Sequence, residues 1–213
     1  DAWSHIIKNI VEWVSGRKIS KLSWVPTVRP MFGKTEKTGK DALRNAVKRG
    51  VDYYAKSGLY LRSDWPAQKP PGNDSLPLAW KRGDGSEGIG ECFISKMIFS
   101  NGRQAVSREA RADCNLEAAM GLACGKILTG DSSNDSTIAR LCNFVFHKSL
   151  IASAERNDPS KASYGLLGWN VSNPESFWGD DNARALLSAV AVSGFTSDQR
   201  WNEYIVRGVL ANF

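Results

Sequence analysis

Two short acidic segments hold the side chains that could do chemistry. One is Arg111-Ala-Asp-Cys-Asn-Leu-Glu117, and the other is Trp178-Gly-Asp-Asp-Asn-Ala-Arg184. Each follows a long loop with aromatic residues and opens an apolar pattern of helical spacing. Cleavage of a glycosidic bond needs one protonated carboxyl group for the leaving oxygen and one ionised group that activates water or attacks the sugar. Both segments offer carboxyl groups for such chemistry.

The predicted catalytic residues are Asp113, Asp180, Asp181 and Glu91. Because a helix N-terminus stabilises negative charge, Asp113 and Asp181 suit the ionised base or nucleophile. The acid needs a raised pKa and a drier setting, for which Glu91, Asp180 and Glu117 are the candidates. Each residue also has an ordinary structural explanation, as a helix cap, as a first-turn residue that complements the helix dipole, or as a solvated surface group.

Substrate contacts are predicted from the chemistry of sugars, which offer an apolar ring face to aromatic side chains and hydroxyl groups to planar polar ones. Trp169 and Trp178 are predicted to form a sugar platform. The full set of predicted substrate-binding residues is Arg111, Asn115, Glu117, Tyr164, Trp169, Trp178 and Arg184. Packing of loops onto the core is the alternative explanation for the aromatic members.

The elements that must position these residues are mostly helices. Apolar residues at helical spacing predict helices over residues 3–14, 41–54, 109–128, 136–154, 182–195 and from 197 to the end. A short strand is predicted over 22–28, and residues 92–107 are predicted to form a β-hairpin around Asn101-Gly102.

The connections between the later helices alternate in length. Those around 129–135 and 195–197 are short, as in helical hairpins, whereas those around 57–108 and 155–181 are several times longer. If successive helices are antiparallel, both long connections lie at one end of the assembly. The helices that begin near Asp113 and Asp181 then point their N-termini into one cleft.

Composition excludes several classes of protein. The chain has 213 residues, of which 42% are hydrophobic and 23% charged, as in an ordinary globular protein. Its net charge of +6 is dispersed without a run of five like charges, so no nucleic-acid partner is predicted. No stretch approaches the roughly 18 apolar residues of a membrane span, so no membrane partner is predicted. Both ends fall within helical patterns, from which we expect a fragment of a longer polypeptide, and the localisation stays open.

No metal or other cofactor is predicted. The four cysteines include no C-x-x-C pair and the chain has two histidines, which disfavours a zinc site. Buried thiols are the expected state of the cysteines. A nucleophilic thiol at Cys114 is a minor alternative, because neither histidine has an identifiable relation to it.

Taken with the hairpin pattern, the Leu128-Thr-Gly-Asp131 helix exit and the two acidic segments resemble the six-hairpin (α/α)6-toroid glycosidase superfamily. The resemblance covers roughly residues 38–213. It is similar in particular to uncharacterised bacterial glycosidase-like proteins, in which a glycine-rich hairpin with a glutamate, here Glu91, precedes the two acidic helices. It implies a mainly α fold and an incomplete toroid, because the chain supplies fewer than six hairpins.

The resemblance also implies a domain organisation. Residues 3–16 resemble the last helix of a glutamine-amidotransferase-like or trehalose-utilisation-like domain. The sequence is therefore divided into a terminal helix of an upstream domain at 1–20, a connector at 21–37 and a partial toroid at 38–213.

The function implied is that of a glycoside hydrolase that acts on an oligosaccharide or polysaccharide by carboxylate acid and base catalysis. A helical-repeat binding module without chemistry is one alternative, because stacked helical hairpins also form concave surfaces. A polysaccharide lyase is the other, with Tyr164 as the residue that would abstract a proton.

Overall fold

The computed structural model describes residues 2–22, 35, 37–61, 83–90 and 110–213, and this part of the chain is mainly helical. Its helices are α1 (Ala2–Ser15), α2 (Lys40–Lys56), α3 (Ala112–Thr129), α4 (Asp135–Asn143), α5 (Gly179–Thr196) and α6 (Asn202–Ala211). The β-structure within these segments consists of isolated bridges. The mainly α fold class is thus confirmed, and the toroid stays a prediction. The predicted hairpin at 92–107 lies outside the described residues, as does most of the predicted strand at 22–28.

The chain divides into two compact units, residues 1–38 and 39–213. The first contains α1, which is followed by Gly16 in the left-handed conformation, with φ of 64°. The Glu12 carboxylate accepts the Ile19 N–H at 2.8 Å and so ties the following chain back to the helix. Apolar side chains of α1 are widely exposed, with Trp13 84% accessible.

In the second unit, α3 is the central helix and packs against α2, α4 and α5. Its many alanines and glycines leave room for neighbours on several sides. At Gly125, an added Cβ would lie 2.5 Å from a methyl group of Val51 on α2, so only glycine allows this approach. Leu116 and Leu122 are fully buried in the core that surrounds α3. Packing along the whole of α3 therefore fixes the position of its first turn.

Two helices, α4 and α6, differ most from their predicted bounds. The helix predicted over 136–154 ends early, because α4 passes into a π-helical turn at Phe144–Lys148 and then into extended backbone at Ser149. The Ser149 N–H donates to the Phe144 carbonyl at 2.8 Å, which closes the wider turn. The last helix begins at Asn202 instead of 197, because Asp198 accepts the Arg200 N–H and holds a turn there.

A glycine-rich segment at 83–90 packs beside the start of α3. It pairs with residues 59–61 through Leu61 N–H to Gly88 carbonyl and Gly90 N–H to Leu59 carbonyl bonds of 2.9 and 3.0 Å. Gly88 has a φ of +81°, and a Cβ there would lie 2.6 Å from the Phe144 ring. This position therefore requires glycine on both counts.

The long loop at 149–178 is folded tightly against the helices. The Arg156 guanidinium donates two hydrogen bonds to the Leu150 carbonyl, at 3.1 and 2.9 Å. Across the loop, the Gly168 N–H donates to the Ile151 carbonyl at 2.8 Å. These bonds bring Trp169 to the first turn of α3. No helix in the described segments is long and apolar enough to cross a membrane.

Candidate active site

The first turns of α3 and α5 meet through Arg111. This residue is the N-cap of α3 and has extended backbone, bridged to Asn170 of the long loop. Its Nε donates to Asp113 Oδ1 at 3.1 Å, and its Nη2 donates to Asp113 Oδ2 at 2.7 Å and to Asp181 Oδ1 at 2.8 Å. The expectation that both acidic helix starts lie at one end of the assembly is therefore confirmed.

Arg184, one turn into α5, contacts all the nearby carboxylates. Its Nη2 donates to Asp113 Oδ2 at 2.7 Å and also to Asp181 Oδ1. It lies 3.8 Å from Glu117 and 3.7 Å from Asp180. We call Arg111, Asp113, Glu117, Asp180, Asp181 and Arg184 the carboxylate–arginine cluster.

The cluster has a buried layer and an exposed layer. The side chains of Asp113 and Asp181 are only 2% and 7% accessible. Those of Glu117 and Asp180 are 42% and 71% accessible, and Arg184 is 46% accessible. Arg184 therefore lies between the buried aspartate pair and the surrounding solvent.

The two buried carboxylates lie very close together. One nitrogen, Arg111 Nη2, lies 2.7 Å from Asp113 Oδ2 and 2.8 Å from Asp181 Oδ1. These oxygens can be no farther apart than the two bonds laid end to end. Because the two carboxyl groups also share a hydrogen bond, they lie closer than the roughly 5 to 9.5 Å found between the carboxyl groups of glycosidase pairs.

The two carboxyl groups have opposite pKa shifts. Burial acts to raise the pKa of Asp113. The hydrogen bonds and positive charge of Arg111, together with a hydrogen bond from the Cys114 N–H, outweigh burial, so the pKa is lowered. Burial, the hydrogen bond with Asp113 and the charge of Asp113 raise the pKa of Asp181, and the two arginines only partly oppose them. On a rise in pH, Asp113 is therefore the member of the pair that ionises first, and Asp181 is the member that keeps its proton longer.

Two tryptophans lie beside the cluster. The Trp169 and Trp178 ring centroids are 6.1 Å apart, with the ring planes at 54°. The Arg111 guanidinium lies 5.8 Å from the Trp169 centroid and occupies one face of that ring. Trp178 is the N-cap of α5 and is 54% exposed. Of the two rings, Trp178 offers the larger open surface.

Asn115 is placed inside the protein. It has no exposed surface. Its Nδ2 donates to the Arg111 carbonyl at 2.6 Å, and its Oδ1 accepts the Ile89 N–H at 2.8 Å. Both ends of the amide are therefore bonded to backbone, and a direct contact of Asn115 with substrate stays a prediction.

Sequence analysis did not select Asn182, which is 2% exposed beside Asp181. Its Oδ1 accepts the Leu167 N–H at 2.8 Å, while its Nδ2 donates to the carbonyls of Leu167 and Trp178 at 2.8 and 3.1 Å. A signal was present in the spacing, because Asn182 follows its N-cap by four residues, just as Asn115 follows Arg111.

The remaining predicted residues lie apart from the cluster or outside the described chain. The Tyr164 ring lies 4.8 Å from the Arg207 guanidinium of α6, and the Tyr164 hydroxyl accepts a long bond from it at 3.5 Å. Tyr164 is thus tied to α6. Glu91 lies outside the described residues, directly after Gly90. Its role as acid stays a prediction.

Neither a metal-binding arrangement nor a similarity to known proteins assigns a function to this site. Within the described segments, no three His, Cys, Asp or Glu residues are arranged to hold a metal ion. Protein-family models, curated proteins and solved structures provide no match to this chain.

Proposed function

We propose that this chain carries the active site of a glycoside hydrolase, in which Asp181 is the general acid and Asp113 the ionised carboxylate. The observation that supports the proposal is the pair itself, two adjacent buried carboxyl groups with opposite pKa shifts. Enzymes assign acid and base roles by giving two titratable groups unequal environments. The resemblance to the toroid glycosidases favours the same chemistry.

In the proposed reaction, the Asp181 carboxyl group donates its proton to the glycosidic oxygen as the bond between that oxygen and the anomeric carbon breaks. Asp113, held ionised by Arg111, attacks the anomeric carbon or takes a proton from the water that does so. In this proposal the two aspartates move apart when the sugar enters. Direct attack needs the smaller movement, because a still wider pair is required to place a water molecule between carboxylate and sugar.

Arg184 controls access to the pair in this proposal. It covers both aspartates and is itself half-exposed, with 46% of its side chain accessible. Movement of this one side chain would open Asp181 to a sugar without disturbing the bonds between Arg111 and Asp113. The open face of Trp178 would then stack on the sugar ring.

The same contacts disfavour a lyase. A lyase acts on uronates, which are anions, yet the cluster holds four carboxyl groups and two guanidinium groups among the described residues. Even with Asp181 protonated, three carboxylates oppose two cations. Tyr164, the base considered for a lyase, is bonded to Arg207 of α6.

The test is the release of reducing ends from a panel of neutral oligosaccharides and polysaccharides. Asp113→Asn and Asp181→Asn should each lower turnover by at least about 100-fold, the usual contribution of acid or base catalysis. Glu203→Gln is the matched control, because this carboxylate on α6 is 82% exposed. Saccharide binding without turnover in the wild type would favour the binding module, and an unsaturated, ultraviolet-absorbing product would favour the lyase.

A further inference from the structure

Asn115 and Asn182 hold equivalent positions in α3 and α5. Each follows its N-cap by four residues and donates from Nδ2 to the N-cap carbonyl, Arg111 in one helix and Trp178 in the other. Each is almost fully buried, with 0% and 2% exposure. The amide thereby ties the first turn of its helix to a second, distant segment.

The second segment differs between the two helices. Asn115 holds the glycine-rich segment by one bond, from the Ile89 N–H. Asn182 holds the long loop by two bonds, since it accepts from the Leu167 N–H and donates to the Leu167 carbonyl, both at 2.8 Å. A side-chain amide here replaces the backbone partner that a neighbouring strand would supply.

The backbone between Leu167 and Trp169 is closely packed. The intervening Gly168 donates its N–H to the Ile151 carbonyl at 2.8 Å. A Cβ at Gly168 would lie 2.3 Å from the Pro174 carbonyl oxygen, so the two backbones are in close contact. The backbone that leads to the Trp169 ring is therefore closely packed, and Asn182 holds it at Leu167.

Trp169 is held from both sides by backbone bonds. Its N–H donates to the Ser176 carbonyl at 2.7 Å, and its carbonyl accepts the Ala112 N–H at 3.3 Å. The Trp178 carbonyl is itself bonded by Asn182. The Asn182 amide is therefore bonded to the backbone two residues before the Trp169 ring and to the backbone of Trp178 itself.

We propose that Asn182 is a positioning residue that sets the Trp169–Trp178 platform relative to its chain neighbour Asp181. Its consequence for turnover rests on the proposed hydrolase function, whereas its effect on ring geometry does not. Loss of its amide should let the two rings separate or rotate. The saccharide should then bind less tightly, while the chemistry at the aspartate pair is less affected.

Circular dichroism in the far ultraviolet tests the geometry directly. Two indole rings at this distance and tilt couple their strong transitions and give a paired positive and negative band, which Trp169→Phe or Trp178→Phe would identify by removing it. Asn182→Ala should lose most of this band pair. Asn143→Ala is the matched control, because Asn143 makes a similar side-chain tie, from Trp201 Nε1 at 2.9 Å, and should leave the band pair intact.

Kinetics on the best neutral oligosaccharide give the second measurement. Asn182→Ala should raise KM several-fold with a smaller loss in kcat, and Asn143→Ala should change neither. An intact band pair in folded Asn182→Ala overturns the inference, even if the wild type hydrolyses saccharides. A lost band pair in that variant, with a wild type that hydrolyses nothing, supports the positioning role and counts against the proposed function.

Two further measurements test the inference if Asn182→Ala does not fold. Asn182→Asp keeps the acceptor for the Leu167 N–H but loses both donors, so it should weaken the band pair in the same direction. In the wild type, the Leu167 amide should exchange with deuterated solvent as slowly as the buried amides of α5. Rapid exchange there would overturn the inference without any variant.

Discussion

The starts of α3 and α5 use the same backbone arrangement for different chemistry. Both helices begin after an extended N-cap residue, and both place a buried asparagine four residues later. The aspartate comes two residues after the cap in α3, as Asp113, and three residues after it in α5, as Asp181. This offset of one residue brings the two carboxyl groups into contact with the same arginines.

The difference between the two aspartates lies in their partners. Asp113 receives two bonds from Arg111, one on each oxygen, and a third from Arg184. Asp181 shares one oxygen between the two arginines and lies against the charge of Asp113. A helix N-terminus favours ionised carboxylates in both cases, so the raised pKa of Asp181 arises from its burial and from its neighbour.

Asp113→Asn should have the largest effect on stability and turnover. It leaves Arg111 and Arg184 to share Asp181, and loss of one member of a buried ion network costs about 3 kcal/mol. Urea unfolding should show the lower free energy of unfolding, and the same variant should lose turnover. Glu203→Gln, with an exposed side chain, should change the free energy of unfolding by less than about 0.5 kcal/mol. Equal effects of the two variants would mean that Asp113 is not the ionised centre of the cluster.

Arg111→Lys should have the next largest effect. Lysine keeps the charge but cannot bind both Asp113 oxygens at once, so about 1.5 kcal/mol of stability, the lower value for one hydrogen bond to a charged group, should be lost. The pKa of Asp113 should rise toward its ordinary value. If Asp113 must be ionised for turnover, the acid limb of the pH–activity profile moves to higher pH. An unmoved acid limb would separate Arg111 from the ionisation of Asp113.

Asp181→Asn should remove turnover with a smaller change in stability than Asp113→Asn. Because its folded-state pKa is raised, Asp181 stabilises the fold most below its ordinary pKa of 3.8, and this contribution is lost as pH rises through the raised value. Asparagine does not titrate. The wild type should therefore lose stability relative to the variant as pH rises from about 4 to neutral. The opposite trend would contradict the raised pKa.

Trp178→Ala should have the smallest effect on stability. The ring is 54% exposed, so its loss should change the free energy of unfolding by under about 1 kcal/mol. As the open face of the platform, it should nevertheless raise KM for a saccharide several-fold. Phe177→Ala is a neighbouring control, with a side chain 38% exposed that contacts Arg156. The platform assignment fails if both variants raise KM alike.

Local patterns in the sequence predicted much of the helical framework and the meeting of the two acidic segments. Apolar spacing located the helices, and the loop lengths put the N-termini of α3 and α5 at one end. The predicted helix over 136–154 failed where Ser149 ends a π-helical turn, because that turn depends on a backbone bond to Phe144 that spacing does not reveal. Periodicity cannot distinguish a widened turn from a continuing α-helix.

The chemistry of the site was only partly predictable, because it depends on contacts between distant residues. Arg111 and Asp181 are seventy positions apart in the chain, and the raised pKa of Asp181 comes from burial and from Asp113. Sequence analysis assigned Asp181 to the ionised role for its place at a helix start. Asn182 was overlooked because its partner Leu167 lies in a loop without periodicity.

Site-specific carboxyl titration of the wild type by carbon-13 NMR, with Asp113→Asn and Asp181→Asn for assignment, measures both pKa values of the pair. Asp113 should titrate below its ordinary value and Asp181 above it. The pKa of Asp181 should also fall in Asp113→Asn, where the neighbouring negative charge is gone. Two ordinary pKa values, or an Asp181 unaffected by the loss of Asp113, would contradict an acid and base pair at this site.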